Sequence, residues 1–408
     1  MVANYFPEFK QRLYLLTAFL AVFFGIYLTI DYRGPAEISL YPDSAFGLPV
    51  LRAKDLVVQE YDQNGNLWAT RGMLVYKLEE GKSKFKRVAR VPTGFSVYWV
   101  RNFSVIRRWT IRPECVEMTV NSKGDIIALS AGHIWLLPSK GKKFQEVFIL
   151  DHYGPGNQGL RNAGIVSVND TLVYLGEYFR NPDKEKVRIY NSLNNFRSFE
   201  VAFEFEPGET RHIHAVQKDP YSEKLWVCTG DADNESMVAW SDNGFSSINK
   251  IGHGSQIWRV CQLVFTEEAL YWGTDTGNED VAGIYRWVRD TGELKKLKEI
   301  DREVFYGVRL ANGTIVMSTT LTRADTEKDN KTSIFVMTGD NDKIISIEGG
   351  TWKHNKPGFW FKYAKLRFQR DQGGPSLAMT ILNQKEFPDG ELIIISEDTL
   401  IEAAENLN

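Results

Sequence analysis

From about Leu51 onward, short runs of β-branched and aromatic residues are closed by Gly, Asn and Asp turns, and no long stretch keeps the three-to-four-residue apolar spacing of a helix. The pattern predicts an all-β body. One phrase recurs: a turn residue, a short apolar strand carrying an aromatic or β-branched residue, a polar loop, a second strand and a Lys-rich last strand. Copies begin at Gly65-Asn-Leu-Trp, Gly124-Asp-Ile-Ile, Asp170-Thr-Leu-Val, Glu223-Lys-Leu-Trp, Glu268-Ala-Leu-Tyr, Gly313-Thr-Ile-Val and Gly390-Glu-Leu-Ile, mostly about 45 to 60 residues apart. Four short strands per unit at such a period predict a β-propeller, whose sheets bury their faces on one another and close in a ring that hides their edges. Six blades are expected, with residues 358–397 sharing a blade with the strand at 51–60 and so locking the ring. A pair of packed sheets is the alternative fold, and the regular spacing argues against it.

The N-terminal end follows a different pattern. Leu13 to Ile30 is uncharged and apolar all round a helical wheel, and about 18 residues at 1.5 Å each reach roughly 27 Å, close to the thickness of a bilayer core. This predicts one transmembrane helix at 13–30. It is too long for a signal-peptide core and no small-x-small cleavage site follows directly, so an uncleaved anchor is expected. Lys10 and Arg12 before the span put residues 1–12 in the cytoplasm. A linker at 31–49 then leads to a periplasmic or extracellular propeller at 50–408.

Composition changes the picture little. The 408 residues are 43% hydrophobic and 25% charged, which excludes wholesale disorder and a polytopic membrane protein. A formal net charge of -3 gives no electrostatic reason to expect a nucleic-acid partner. Cys115, Cys228 and Cys261 fit no zinc spacing and no disulfide framework. They read as small buried apolar residues, Cys228 and Cys261 being the one pair placed to bridge.

The stretch Trp240-Ser-Asp-Asn-Gly-Phe-Ser-Ser-Ile248 resembles the Asp-box turn, Ser-x-Asp-x-Gly-x-Thr-Trp, of sialidase-like and BNR-repeat propellers. Asn243 stands where that motif has Asp, Phe245 where it has Gly and Ile248 where it has Trp. Residues 211–278, with Arg-His-Ile-His, Trp-Val-Cys-Thr-Gly-Asp and Tyr-Trp-Gly-Thr-Asp-Thr, resemble BNR-type propellers found in microbial surface-polysaccharide contexts. The resemblance implies a carbohydrate-facing propeller. It does not imply a sialidase, because Trp109-Thr-Ile-Arg112-Pro113 only echoes the opening motif of those enzymes and further Asp-boxes are missing.

In a propeller, the entries to the innermost strands and the loops joining the two middle strands open on one face. By that rule Arg112, Arg161, Arg211, His212, His214, Trp258, Arg259 and Tyr306 meet Glu177, Tyr178, Asp231, Asp275, Thr320 and Arg323. Guanidinium groups grip carboxylates bidentately and aromatic faces stack on sugar rings, so the set suits an anionic glycan. Arg211, Trp258, Arg259, Asp275, Arg161 and Arg112 are the expected substrate contacts.

His212 and His214 alternate on one strand and face the same side. One can act as general base with Tyr306 or Tyr178 as acid and an arginine on a uronate carboxylate, the minimum set for β-elimination. Hydrolysis instead needs two carboxylates, for which Glu177, Asp231 and Asp275 are the candidates. The bland alternatives are that the histidines plug the axial channel and that Arg211 and Arg259 merely pair with Asp231 and Asp275. A metal needs a third ligand, with Asp231 a guess at it, and neither metal nor cofactor is assigned.

The expected function is binding of an envelope or extracellular, anionic polysaccharide by a membrane-tethered propeller, with its cleavage by hydrolysis or elimination left open. The competing expectation is a non-catalytic scaffold for envelope proteins.

Overall fold

A computed structural model describes residues 17, 22, 25, 29, 32–93, 102, 115–153, 161–277, 280–322, 326–338, 343–353, 363–370 and 372–406. Among these, no helix is long and apolar enough to cross a membrane. The predicted span at 13–30 falls outside them save for four scattered helical residues, and Arg112 and Arg323 lie outside them entirely.

The chain opens with β1 (Glu37–Ser39), β2 (Tyr41–Ala45) and β3 (Leu48–Ala53). An antiparallel meander follows, of β4 (Val57–Tyr61), β5 (Leu67–Arg71), β6 (Leu74–Leu78) and β7 (Lys84–Arg90), with β1 added outside β7. The next holds β8 (Glu117–Val120), β9 (Ile126–Ser130), β10 (His133–Leu137) and β11 (Gln145–Ile149). The third holds β12 (Ile165–Ser167), β13 (Val173–Gly176), β14 (Val187–Leu193) and β15 (Ser198–Phe205). The fourth is β16 (Ile213–Lys218), β17 (Leu225–Thr229), β18 (Met237–Ser241) and β19 (Asn249–His253). The fifth is β20 (Val264–Phe265), β21 (Ala269–Gly273), β22 (Gly283–Val288) and β23 (Leu294–Glu299).

The remaining strands form one nine-stranded sheet. It contains the meander β24 (Glu303–Arg309), β25 (Ile315–Leu321), β26 (Lys331–Met337) and β27 (Ile344–Thr351), followed by β28 (Ala364–Phe368), β29 (Ser376–Leu382) and β30 (Glu391–Ser396). β30 pairs with β3, so the N-terminal strand completes the C-terminal unit. The two halves are fused where Thr320 and Leu321 of β25 pair with Lys365 and Ala364 of β28. Six hydrogen-bonded sheets among the described residues therefore comprise seven four-stranded antiparallel units. A helix, α1 (Glu397–Asn406), ends the described chain and buries Leu400, Ala403 and Ala404.

First strands of successive units lie against one another: β4 on β8, β8 on β12, β12 on β16, β20 on β24, β24 on β28, and β28 back on β4. Buried glutamines stitch neighbours together. Gln217 of β16 donates to Leu263 O at 3.0 Å and accepts from Leu263 N at 2.8 Å, and Gln59 of β4 makes the same bridge to Val116 and Met118. Each satisfies backbone groups that a change of sheet would otherwise leave unpaired.

The axis is closed by charge. Arg367 of β28 grips Glu117 of β8 through two bonds of 2.8 and 2.7 Å, and Arg370 reaches Glu60 of β4 at 2.9 Å and Asn162 O at 3.1 Å. These buried side chains tie the end of β28 to β4 and β8.

Two glycines set how closely the units pack. A Cβ on Gly176 would stand 2.6 Å from Ile213, and one on Gly273 would stand 2.2 Å from Val304. Only glycine at the end of β13 and β21 lets the next unit's first strand approach this closely. The residues just after them, Glu177 and Thr274-Asp275, are thereby carried to the entries of those strands.

Between β18 and β19 the Asp-box-like stretch forms a side-chain-braced turn. Ser241 Oγ accepts from Phe245 N at 2.8 Å, Asn243 Oδ1 accepts from Ser247 N at 3.1 Å, and Phe245 is fully buried with φ +67°.

Candidate functional site

β16 carries a bulge between Ile213 and Ala215. A bulge puts an extra residue on one strand and re-aims its side chain, here His214. The two rings end with their Nε2 atoms 3.1 Å apart. His212 Nδ1 faces Phe179 O at 3.4 Å and His214 Nδ1 faces Val260 O at 3.2 Å. Asp231, in the loop after β17, brings Oδ1 to 3.4 Å from His212 Nε2 and 3.7 Å from His214 Nε2.

Around this core stand three arginines. Arg259, before β20, donates from NH2 to Asp231 Oδ1 at 3.2 Å and lies 3.4 Å from Asp275 Oδ2. Arg211 lies 3.6 Å from Asp231 Oδ2 and 3.9 Å from Glu235 Oε1, which Lys184 also pairs at 2.6 Å. Arg161, before β12, reaches Cys261 Sγ at 2.9 Å and Tyr178 OH at 3.1 Å, with its guanidinium over the Tyr178 ring. Tyr178 in turn lies against His212, ring centroids 4.2 Å apart.

The histidines are buried, but the rim is open: side-chain exposure is 37% for Arg211, 29% for Asp231 and 24% for Arg259.

Burial pulls the Asp231 carboxyl up, yet hydrogen bonds and charge from His212 and His214 outweigh it and hold the group far below the usual carboxylate range. Burial pushes the His214 imidazole down to about 4. Cys261 is buried beside Asp275, which accepts from its thiol at 3.2 Å; burial first and that carboxylate second push the thiol well up, so it stays protonated. All three cysteines are free and buried, and the Cys228–Cys261 bridge is not made.

The structure thus gathers Arg161, Arg211, His212, His214, Asp231, Arg259 and Asp275 and sets three other candidates apart. Trp258 lies over Gly252, where a Cβ would stand 2.0 Å from its ring, and packs on Trp272 with centroids 5.6 Å apart. Glu177 is fully buried behind Phe179, accepting from Arg188 N at 2.9 Å and lying 3.2 Å from both His152 Nδ1 and Tyr190 OH. Burial raises its carboxyl, against the lowering effect of those partners. Tyr306, 7% exposed on β24, belongs to the aromatic core with Phe305 and Phe368, near enough to Arg161 to favour its charged form.

Cys261, Lys184 and Glu235 went unremarked as site members. A thiol among apolar strand residues gives no pattern, and Lys184 with Glu235 come from loops whose meeting depends on how two units pack.

No family model matches this sequence, and no curated protein matches it. Among solved structures, it is similar to an oligogalacturonate lyase from Vibrio parahaemolyticus, TM-score 0.55 at 10% identity, covering 89% of this chain and 98% of that one. A chain of a mitotic checkpoint complex gives TM-score 0.51 at 10% identity, covering 87% and 95%. A chain described as the extracellular domain of a one-component system from B. thetaiotaomicron gives TM-score 0.48 at 11% identity over 83% of this chain; this chain spans only 38% of that one. The two likenesses with TM-scores above 0.5 support an all-β, propeller-type fold and nothing finer.

Proposed function

We propose that this is a seven-unit, membrane-tethered propeller that recognises an anionic polysaccharide outside the cytoplasm, at the mouth between the β16–β19 and β20–β23 units. The observation that carries this reading is the pairing of Arg211 and Arg259 with a partly exposed carboxylate, Asp231, beside a buried imidazole pair, with Arg161 close by on Tyr178. Asp231 takes one hydrogen bond from Arg259 and lies 3.6 Å from Arg211, so a glycan carboxylate would compete for these guanidiniums. The partial exposure of Arg211, Asp231 and Arg259 above the buried histidines supports a ligand site more than a scaffold surface. The lyase among the structural neighbours, whose name refers to oligogalacturonate, a polyuronate, is consistent with this substrate class.

The residues suit β-elimination better than hydrolysis. Glu177 is fully buried on Arg188, His152 and Tyr190, and Asp231 and Asp275 are held by Arg259, so no two of these three carboxyls are free to flank a glycosidic bond. In elimination, an arginine neutralises the uronate carboxylate and His212 takes the proton at C5. The electron pair forms the C4–C5 double bond as the C4–O bond breaks, and the leaving oxygen takes a proton from Tyr178. Tyr178, beside His212, replaces Tyr306 in this role.

The test is a glycan-array binding and turnover screen on the full chain in detergent, beside a His212→Ala/His214→Ala variant of matched folding. Binding of acidic glycans with new unsaturated-uronate absorbance, lost in the variant, is the expected result. Binding without product leaves a lectin-like module, and no binding to any glycan sinks the reading.

A further inference from the structure

The histidine pair and Asp231 show more than a base and its partner. Each Nδ1 faces a backbone carbonyl, Phe179 O at 3.4 Å and Val260 O at 3.2 Å. A carbonyl only accepts, so each Nδ1 is placed to donate, and in the neutral rings both Nε2 atoms present a lone pair. Those lone pairs stand 3.1 Å apart and face Asp231 Oδ1 at 3.4 and 3.7 Å. Three acceptors aimed at one point repel one another unless something positive lies between them.

The distances say what fits. A triangle with sides of 3.1, 3.4 and 3.7 Å has a centre about 2.0 Å from each corner, and zinc and related ions sit at about 2.0–2.2 Å from imidazole nitrogen and carboxylate oxygen. The ring orientation matches what metal-binding histidines show, the far nitrogen donating to a carbonyl that fixes the tautomer.

We propose that His212 Nε2, His214 Nε2 and Asp231 Oδ1 form a binding site for one first-row divalent cation. Two imidazoles and one carboxylate leave coordination positions open; with the ion bound neither nitrogen of His212 is free, so the loaded site holds the glycan and does not use His212 as a base. Arg211, Asp231 and Arg259, the partly exposed members of the cluster, give an ion its route from solvent.

Three neighbouring atoms, His214 Nδ1, Cys261 Sγ and Asp275 Oδ2, also lie within 4.8 Å of one another. They make the poorer site, because His214 Nδ1 is committed to Val260 O and Arg161 already donates to the sulfur at 2.9 Å.

The surrounding charge is nearly balanced. Arg161, Arg211, Arg259 and Lys184 stand against Asp231, Asp275 and Glu235. The site carries one excess positive charge before the ion enters. A divalent cation is therefore held most tightly together with an anion in its open positions.

The full chain, stripped with chelator, is titrated calorimetrically with Zn2+ and with Mn2+, and bound metal is counted by mass spectrometry. One equivalent of at least one ion is expected. His212→Ala, His214→Ala and Asp231→Asn should each weaken binding at least tenfold, while His133→Ala, at an exposed histidine paired with Glu146, leaves it unchanged. Asp231→Asn keeps shape and volume, so it decides the matter if a histidine variant fails to fold. Neither ion binding stoichiometrically, or Asp231→Asn binding as the parent does, overturns the site. Metal binding with no glycan recognition would refute the polysaccharide reading and leave this site standing.

Discussion

At the scale of single residues, the most consequential side chains are the buried charges, and they divide into two groups with different tasks. Arg367 and Glu117 have side-chain exposures of 1% and 4% and no role at the mouth. Taking both charges from water is costly, and removing one alone strands the other. Arg367→Met should destabilise by about 3–5 kcal/mol, and adding Glu117→Leu should recover at least about half, both read from urea unfolding. A single variant as stable as the parent would show the pair is not the axial lock.

Glu177 permits a pH test. Burial raises its folded-state carboxyl above an unfolded value of about 4.3. The folded chain therefore holds the extra proton as pH climbs through that window, and the contribution of Glu177 to stability falls with rising pH. Replacing it by Gln removes the titration. The stability of Glu177→Gln minus that of the parent should rise with pH from about pH 4 until the folded-state carboxyl is ionised, and a difference independent of pH contradicts this.

Sequence legibility at this scale was uneven. The alternation of His212 and His214 was enough to predict a shared side, and strand-entry positions singled out Arg211 and Arg259. Trp258 misled, because an aromatic beside Arg259 reads as a sugar platform until Gly252 is seen to receive it. The axial pair was invisible, since its partners lie 250 positions apart.

At the scale of elements, the recurring phrase located the second strand of six units, with starts at Gly65, Gly124, Asp170, Glu223, Glu268 and Gly313 shortly before β5, β9, β13, β17, β21 and β25, and the third strand of the last, with Gly390 just before β30. The number of units was harder to read. The last repeat was expected to pair with residues 51–60, and it does pair with β3, but β4 opens a separate unit. Turn composition cannot show where one sheet ends and the next begins.

The Ser241 turn tests how far the motif stabilises its unit. Ser241→Ala removes the acceptor for the buried Phe245 N–H and should cost about 1 kcal/mol. No measurable change in the denaturation midpoint would mean that Phe245 packing alone sets the turn.

At the scale of the whole molecule, closure depends on β3, which joins the N-terminal chain to β30. Deleting residues 37–53 exposes the β30 edge, and unpaired edges recruit other chains. The deletion should broaden the unfolding transition and give concentration-dependent aggregation by light scattering. A sharp, concentration-independent transition would show that the ring holds without its clasp.

The central claim is that the arginine-rimmed mouth recognises carboxylated sugar. Its most direct test compares the affinity of the full chain for a uronic-acid oligosaccharide with that for the same oligosaccharide after reduction of its carboxyls to alcohols. At least a tenfold preference for the acid is predicted, lost in an Arg211→Gln/Arg259→Gln variant of unchanged thermal stability. Equal affinity for the two sugars, or a preference that survives removal of both guanidiniums, contradicts it.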